Sequence, residues 1–300
     1  MTTLVLGHLV LDEIHSHDGE LYSSPGGITF PLQTFSALSR PEDRILPVFP
    51  YGPDAHDVMQ GFAKSDGMDA SHCWEVESGT TRVRLFHESP STYNTQLVRS
   101  LESIPESRYA HLLPGVQLVY LNLMTGDDIT AKTAVGLKGE GRLVYIDLHM
   151  IAYRVRQDGH RAPAASEQWK EWMRAGDILQ CNEREFDALL GTEESVQQRM
   201  NRVFEEAAPE MFVLTRGEEG ADLYTAPDSC HHVPAVPPAS VVDPTGCGDA
   251  FGSTLAHGIA AGDPLTVAAQ RAAQAAAFVV TLPGSNGISG LRAHLQQVHA

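Results

Sequence analysis

The chain has 300 residues, enough for one large α/β domain with a small appendage. Its 38 acidic and 21 basic residues give a formal net charge of −17, which argues against nucleic acids and anionic membranes as partners. The four cysteines are scattered without a CxxC pair, as is typical of free thiols in a reducing cytoplasm, and neither a signal peptide nor a membrane-spanning run is evident.

The first segments predict a buried strand, a polar hairpin and a helix. Residues 3–10 form an apolar run that predicts the strand, which ends at Asp12. The polar stretch that follows predicts a short hairpin with its turn at Asp18-Gly19. Gly26-Gly27 then opens a helix predicted over residues 31–38, although this glycine pair alone is also compatible with a plain turn.

Short apolar runs alternate with helical stretches through the middle of the chain, and the clearest helix covers residues 196–207. This alternation predicts a mostly parallel sheet covered by helices on both faces, in which ligands bind at the carboxyl ends of the strands. The strands are predicted over residues 44–49, 80–87, 116–121, 142–148, 177–180 and 211–215. The polar residues that follow strand ends are Asp12, Asn122, Asp147, Asn182, Thr215 and Asp249.

A glycine loop late in the chain carries the most chemical information. Val241-Val242 predicts the end of a buried strand and residues 250–261 predict a helix, so Gly246-Cys247-Gly248 connects the two. Free backbone N–H groups at the start of such a helix form an anion site. Asp249 would lie in the first helical turn, where a carboxylate suits a general base beside a phosphoryl group in transfer better than it suits holding phosphate.

Two other interpretations of this loop remain, a dinucleotide-binding loop and a purely structural turn. A dinucleotide loop would need glycine where Phe251 stands and would set Asp249 against a pyrophosphate. The pattern GxxxxGK[ST] does not occur in the sequence, which excludes a P-loop.

The segment Asp243-Pro-Thr-Gly-Cys-Gly-Asp249 resembles the Asp-Thr-x-Gly-Ala-Gly-Asp signature of the ribokinase-like (PfkB) sugar kinases. The resemblance extends over most of the chain. It implies a three-layer α/β/α sandwich in a single domain over residues 1–300, with a small β lid from residues 11–24 and 74–98. It also implies an ATP-dependent kinase that phosphorylates a hydroxyl of a sugar or sugar-like alcohol, as a homodimer paired through its lids.

The same resemblance implies roles on the phosphoryl-donor side. Asp249 becomes the base, and the N–H groups of Gly246-Cys247-Gly248 stabilise charge on the γ-phosphoryl group. Asn182 and Glu185 match the family's Asn-x-x-Glu motif, linked to Mg²⁺ through water, although the pair also fits a helix capping box. In many members a monovalent cation such as K⁺ borders the loop after the last long helix. The residues assigned to the nucleotide are Asn182, Glu185, Thr215, Gly217, Gly220, Asp243, Thr245, Gly284 and Asn286.

On the acceptor side, the resemblance assigns Asp12, Gly26 and Gly27 to substrate hydroxyls, with Asn122 as a further candidate. Ribokinase carries lysine directly after the second glycine and asparagine four residues after it, but here Ile28 and Pro31 occupy these positions. We therefore expect an acceptor other than ribose, less polar or differently shaped.

Two alternative functions stay open. A nucleoside kinase on the same fold is favoured if Phe30 or Tyr22 stacks on a base. A sugar-sensing protein without turnover belongs to another class, and the intact Gly-x-Gly-Asp loop argues against it.

Two further features have simpler interpretations. The 14 histidines lack the spacing of a zinc site and are interpreted as solvated or structural. Cys247 stands at a predicted helix N-terminus, which favours a reactive thiolate, while Asp249 opposes this effect.

Overall fold

The computed structural model describes residues 1–15, 19–89, 92–139 and 141–298. Within these ranges the strands are β1 (Thr2–Gly7), β2 (Leu9–His15), β3 (Leu21–Gly27), β4 (Arg44–Val48), β5 (Pro50–Tyr51), β6 (Trp74–Glu75), β7 (Thr81–Ser89), β8 (Thr92–Arg99), β9 (Leu118–Asn122), β10 (Leu143–Asp147), β11 (Tyr153–Val155), β12 (Arg161–Pro163), β13 (Ile178–Asn182), β14 (Met211–Thr215), β15 (Ala221–Ala226) and β16 (Ser229–Val233). The α-helices are α1 (Thr29–Leu38), α2 (His56–Phe62), α3 (Ala131–Val135), α4 (Trp169–Ala175), α5 (Glu183–Leu190), α6 (Val196–Ala207), α7 (Cys247–Ala260), α8 (Leu265–Val279) and α9 (Leu291–Val298).

Eight strands form the central sheet in the order β16-β15-β14-β13-β10-β9-β1-β4. The six strands from β14 to β4 in this order run parallel, and β15 and β16 form an antiparallel edge. The parallel strands are buried along their length, as expected for a sheet covered on both faces. Helices α1, α7, α8 and α9 pack with one another, and α4 packs with α3 and α6. The predicted α/β sandwich with a mostly parallel sheet is confirmed.

A separate four-stranded sheet in the order β3-β2-β7-β8 covers most of the segments predicted to form a small β lid, and it is called the lid sheet here. Strand β2 pairs antiparallel with β3 and parallel with β7, and β7 pairs antiparallel with β8. Val10, Ile14, Val83 and Leu85 are buried together on one face of this lid sheet. The turn predicted at Asp18-Gly19 includes Asp18, which lies outside the described residues.

The first apolar run differs from its prediction, because it divides between the two sheets. Residues Thr2–Gly7 lie in the central sheet, whereas Leu9–His15 lie in the lid sheet. Asp12 is therefore inside a lid strand rather than after the first strand of the core.

The strand predicted to end at Val241-Val242 is also wrong. Both side chains are more than half exposed, at 64% and 53%, and neither residue belongs to a strand. The preceding strand β16 is the edge of the sheet, and the N–H groups of Val242 and Asp243 donate instead to the Val280 carbonyl beyond α8. A β-branched pair predicts a strand only where a neighbouring strand can receive its hydrogen bonds.

Two helices begin earlier than predicted. Helix α1 begins at Thr29, two residues before Pro31, and α7 begins at Cys247 rather than at residue 250. Asp249 consequently lies in the first turn of α7, as its proposed role needs. Within the described ranges, no helix is both long enough and apolar enough to cross a bilayer.

Candidate active site

The carboxyl ends of the parallel strands bring the predicted polar residues to one edge of the sheet. Asn122 at the end of β9 is level with Asp147 at the end of β10, and Asn182 is level with Thr215 on β13 and β14. The start of α7 lies above this edge, because Asn122 Nδ2 donates a 2.6 Å hydrogen bond to Asp249 Oδ1. Asn122 is 1% exposed, and within the described chain its Oδ1 atom has no hydrogen-bond partner.

The glycine loop leaves the N-terminus of α7 without a side-chain cap. Gly246 is the N-cap residue in a left-handed conformation (φ 81°), and it has no side chain with which to cap the helix. Helices α5 and α6 instead begin with complete capping boxes. The Cys247 N–H makes a long 3.3 Å contact with the Pro244 carbonyl, so this donor is only weakly engaged. Such an uncapped helix start can bind an anion.

Gln180 on strand β13 forms a hydrogen bond with the glycine loop. Its Nε2 atom donates to the Gly248 carbonyl at 3.0 Å, and its Oε1 accepts from the Tyr145 hydroxyl at 2.6 Å. The side chain is 3% exposed on strand β13. This buried amide therefore couples the core of the sheet to the position of the loop.

The Asp249 carboxyl group lies in an environment that favours its neutral form more than water does. Burial raises its pKa above the usual range, while His149 and the hydrogen bond from Asn122 partly oppose the rise. Burial and the neighbouring Asp249 and Glu185 also raise the pKa of Asp147. A raised carboxyl pKa suits a group that must accept a proton during the reaction.

Asn182 and Glu185 form the helix capping box that was one of the two interpretations of this pair. Glu185 N donates to Asn182 Oδ1 at 3.0 Å, and Asn182 N donates to Glu185 Oε2 at 2.9 Å. Glu185 Oε1 lies 2.6 Å from His149 Nδ1. Burial lowers the pKa of His149, but the Glu185 carboxylate and Asp147 outweigh this effect and raise it to about 9. The imidazole is therefore charged at neutral pH.

The capping box and His149 already engage the oxygens of Asn182 and Glu185, so this pair would reach Mg²⁺ through its water ligands and does not form a metal cage. No group of three or more His, Cys, Asp or Glu side chains is arranged to hold a metal ion in the parts of the chain that the structure describes. Mg²⁺ keeps several waters and commonly uses one or two carboxylates together with substrate phosphates, so a complete protein cage is not required.

Glu185→Gln is expected to raise the Mg²⁺ concentration needed for half-maximal rate, because the variant removes the carboxylate and keeps the cap. Helix α6 shows that glutamine can serve the capping role, since Ser195 and Gln198 form the same box. The matched control is Glu183→Gln, an exposed change in the same helical turn. A Mg²⁺ titration of Glu185→Gln that overlays the wild type would leave only the capping role.

The predicted acceptor side combines Asp12 and Gly26 with Arg161, a residue that sequence analysis missed. A Cβ atom on Gly26 would lie 1.9 Å from Asp12 Oδ2, so this glycine makes room for the carboxylate. Burial raises the pKa of Asp12 to about 7; Arg161 opposes the rise, and Asp243 and Asp249 add to it. The charges of Asp243 and Asp249 on the donor side therefore act on the Asp12 carboxyl group.

The predicted nucleotide residues lie in three places. Asp243 accepts hydrogen bonds from Thr245 N at 2.9 Å and Gly284 N at 3.2 Å, so it ties the glycine loop to the loop after α8. Gly217 and Gly220 form the turn between β14 and β15, which starts directly after Thr215. Asn286 is exposed in the loop after α8, whereas Gly27, which was assigned to the acceptor and not to the nucleotide, ends strand β3.

Phe30 cannot stack on a base as the nucleoside alternative requires. Its ring is 2% exposed and packs beside Gly246, where a Cβ atom would lie 2.1 Å from the ring. Tyr22 differs, because it is 49% exposed and pairs with Ile14 in the lid sheet.

The reactivity expected of Cys247 is not supported by its surroundings. Burial, together with Asp243 and Asp249, raises the pKa of the Cys247 thiol to about 12, because these effects outweigh the helix N-terminus. We therefore expect alkylation near neutral pH to leave Cys247 largely unmodified, and we expect Cys247→Ala to retain most activity. Time courses of wild type and variant with iodoacetamide test both points. Rapid wild-type inactivation that the variant resists would contradict the first, and an inactive variant would contradict a backbone anion site.

Four side chains at this edge were not assigned roles from the sequence: Asp147, His149, Arg161 and Gln180. The sequence did contain a signal for two of them. Asp147 stands at the end of an apolar strand, and Gln180 is a polar residue inside one. His149 follows Asp147 by two residues, which is a weaker signal. Arg161 lies in a hairpin with no signal of its own.

The chain is similar to known sugar and nucleoside kinases. Residues 154–289 match the model of the pfkB family carbohydrate kinases. The cytidine kinase of Thermococcus kodakarensis is 27% identical over 278 aligned positions, and the alignment covers 87% of this chain and 90% of that protein. A pyrophosphate-dependent myo-inositol-1 kinase structure superposes with a TM-score of 0.81 at 15% identity over the whole of both chains. Arabidopsis thaliana ribokinase, complexed with ribose and ATP, gives a TM-score of 0.73 at 18% identity over 97% of this chain and 98% of that one.

Proposed function

We propose that this chain, which matches the pfkB family model over residues 154–289, is a ribokinase-like kinase that transfers the γ-phosphoryl group of ATP to a hydroxyl of a sugar or sugar-like alcohol. The observation that carries the proposal is the Asp249 carboxylate, which Asn122 holds at 2.6 Å over the uncapped start of α7. A base and an anion site are thereby adjacent, which is the arrangement that phosphoryl transfer to an alcohol needs.

The proposed mechanism gives each part of the site one task. Asp249 accepts the proton of the attacking hydroxyl, and the N–H groups of Gly246, Cys247 and Gly248 stabilise negative charge on the transferred group. Asp12 holds the acceptor, Gly26 makes room for the Asp12 carboxylate, and the backbone of Gly26 and Gly27 contacts the acceptor hydroxyls. Mg²⁺, when bound near Asn182 and Glu185, neutralises phosphate charge. The lid sheet excludes water from the pocket and so limits hydrolysis of ATP.

We also propose a homodimer in which the lids of two subunits meet. Leu21 and Val98 support this arrangement, because both are large apolar residues on lid strands with 62% and 42% of their surface exposed. The unpaired thiols of the four cysteines are compatible with a cytoplasmic location.

Nucleoside phosphorylation is the second candidate, and it is favoured by a relative that covers 87% of the chain, since that protein is a cytidine kinase. Tyr22 is the aromatic residue positioned to contact a base, whereas Phe30 is buried. Tyr22→Ala would raise KM for cytidine and leave KM for a free sugar unchanged if a base stacks there.

The test is ADP release by the purified chain with Mg²⁺ and ATP in the presence of ribose, myo-inositol or cytidine. Pyrophosphate replaces ATP in a parallel series, in which orthophosphate release is measured instead of ADP, because one structural neighbour is described as pyrophosphate-dependent. Asp249→Asn serves as the blank. Acceptor-stimulated ADP release above the blank eliminates a sensor without turnover. Acceptor binding without any release would overturn the proposed activity.

A further inference from the structure

Helix α7 packs on three buried polar side chains, one from each of three neighbouring strands of the central sheet. Tyr120 lies on β9, Tyr145 on β10 and Gln180 on β13, and each is at most 3% exposed. The two tyrosines are level in the parallel register, and their rings stack with centroids 5.1 Å apart. These three residues are called the polar seat of α7 here.

The polar seat contacts α7 at its first two turns. In the first turn, Gln180 Nε2 donates to the Gly248 carbonyl at 3.0 Å. One turn later, a Cβ atom on Gly252 would lie 2.7 Å from Gln180 Oε1, 2.8 Å from the Tyr120 hydroxyl oxygen and 3.1 Å from the Tyr145 hydroxyl oxygen. Glycine weakens the interior of a helix relative to alanine, but here it allows the helix to approach the polar seat closely.

The hydrogen bonds of Gln180 fix the orientation of its amide group. Its Oε1 atom accepts from the Tyr145 hydroxyl at 2.6 Å, while Nε2 donates to Gly248 and makes a longer contact of 3.4 Å with Asp147 Oδ2. A reversed amide would set Oε1 against the Gly248 carbonyl oxygen, and two acceptors cannot form a hydrogen bond. The Tyr145 hydroxyl stays a donor, because burial raises the pKa of Tyr145 well above its usual range.

A polar layer between a helix and a sheet costs stability, which indicates a task other than packing. Buried polar groups lose their hydration, and the Tyr120 hydroxyl has no hydrogen-bond partner within the described ranges to offset that loss. Apolar side chains at the same three positions would pack α7 on the sheet without this cost. They could not form a directional bond to a carbonyl of the glycine loop, as Gln180 does.

We propose that Gln180 is a positioning residue for phosphoryl transfer, and that Tyr145 keeps its amide in the orientation that donates to the glycine loop. Gln180 holds the Gly248 peptide, and with it the direction of the N–H groups at the start of α7 and the place of Asp249, one residue further on. It acts through the loop and needs no contact with either substrate. A displacement of about 1 Å at such a site can lower a rate about 100-fold. The inference rests on the proposed kinase function and adds the part of the core on which the geometry of the anion site depends.

The test uses Gln180→Met, which keeps the length of the side chain and removes the donor, and Tyr145→Phe, which removes the partner of Gln180 Oε1. Gln180→Met is expected to lower kcat about 10–100-fold and to leave KM for the acceptor unchanged, because the loop moves and the acceptor pocket does not. Its Kd for a non-hydrolysable ATP analogue, measured by calorimetry, should rise about 2–10-fold. Tyr145→Phe should lower kcat about 2–10-fold, the value of one neutral hydrogen bond.

Tyr120→Phe is the matched control. It removes a hydroxyl from the ring that stacks on Tyr145, equally buried but without a hydrogen bond in the described part of the chain. Its kcat and its Kd for the analogue should equal the wild-type values. Its melting temperature should stay the same or rise, since a buried hydroxyl without a partner is lost.

Two results would overturn the inference: a Gln180→Met enzyme with the kcat and analogue Kd of Tyr120→Phe, or an equal loss of kcat in all three variants, which would show that only packing matters. If Gln180→Met fails to fold in a thermal melt, the difference in kcat between Tyr145→Phe and Tyr120→Phe decides the point. A wild-type chain without turnover of ribose, myo-inositol or cytidine would refute the kinase activity, and binding of the ATP analogue then tests the inference separately. Weaker binding in Gln180→Met than in Tyr120→Phe would support the positioning role, and equal binding would refute it.

Discussion

Asp249→Asn is expected to lower kcat by about 10²–10⁴-fold, the usual contribution of a general base. The asparagine amide can still accept the hydrogen bond from Asn122 through its oxygen, so the start of α7 should keep its position. ATP binding should survive or tighten slightly, because one negative charge near the phosphates is lost. Steady-state kinetics and calorimetric titration with an ATP analogue measure the two effects separately.

The matched control for this substitution is Asp57→Asn. Asp57 also lies in the first turn of a helix, α2, but it is exposed and far along the chain from the site. Its replacement changes the net charge by the same amount and should leave kcat unchanged. An Asp249→Asn enzyme that keeps more than about a tenth of the normal kcat would remove Asp249 from the role of base.

The raised pKa of Asp249 gives this assignment a pH signature. Only the ionised carboxylate can accept the proton of the acceptor hydroxyl, so kcat should fall as the pH decreases through the pKa of Asp249. Because burial raises this pKa, the loss should begin at a higher pH than for an exposed aspartate, whose usual pKa is 3.8. A kcat that stays constant as the pH falls to the usual aspartate pKa of 3.8 would contradict the environment described for Asp249.

The residues that sequence analysis placed correctly share one physical reason. Asn122 and Asn182 follow strands of a parallel sheet, and the carboxyl ends of such strands must meet at one edge whatever the details of packing. Asp249 belongs to a local glycine loop-helix pattern whose anion site depends on backbone geometry within a few residues, and it kept its place although the strand predicted before the loop is absent. Short-range pattern and sheet topology were sufficient for these positions.

Other positions depended on contacts between distant segments. The tip of the β11–β12 hairpin, for example, is held by hydrogen bonds from Leu97 and Gln96, about 60 residues earlier in the chain. The charge of His149 depends on Glu185, which lies on a different element. The burial of Phe30 against Gly246 joins segments that are more than 200 residues apart. Periodicity and motif spacing contain no information about such pairings, so these features needed the structure.

Gly246→Ala is expected to damage both the fold and the activity, because glycine is required here for two independent reasons. The backbone conformation with φ 81° costs a non-glycine residue about 1–2 kcal/mol. The added Cβ would also lie 2.1 Å from the Phe30 ring, and overpacking of this kind costs about 1–3 kcal/mol. The free energy of unfolding should therefore fall by about 2–5 kcal/mol in a urea titration. Because relief of the clash would displace the anion loop, kcat/KM should fall at least about 100-fold.

Gly248→Ala in the same loop is the control that separates these causes. A Cβ atom there would meet only Gln180 Nε2 at 3.9 Å, and Gly248 lacks a left-handed backbone conformation. Its free energy of unfolding should therefore stay within about 0.5 kcal/mol of the wild type. If Gly248→Ala is as stable as the wild type but binds ATP weakly, the added methyl group blocks the approach of the phosphates to the loop. That result would support a backbone anion site at the start of α7. Equal loss of stability in both variants would instead show that the Phe30 contact does not determine the position of the loop.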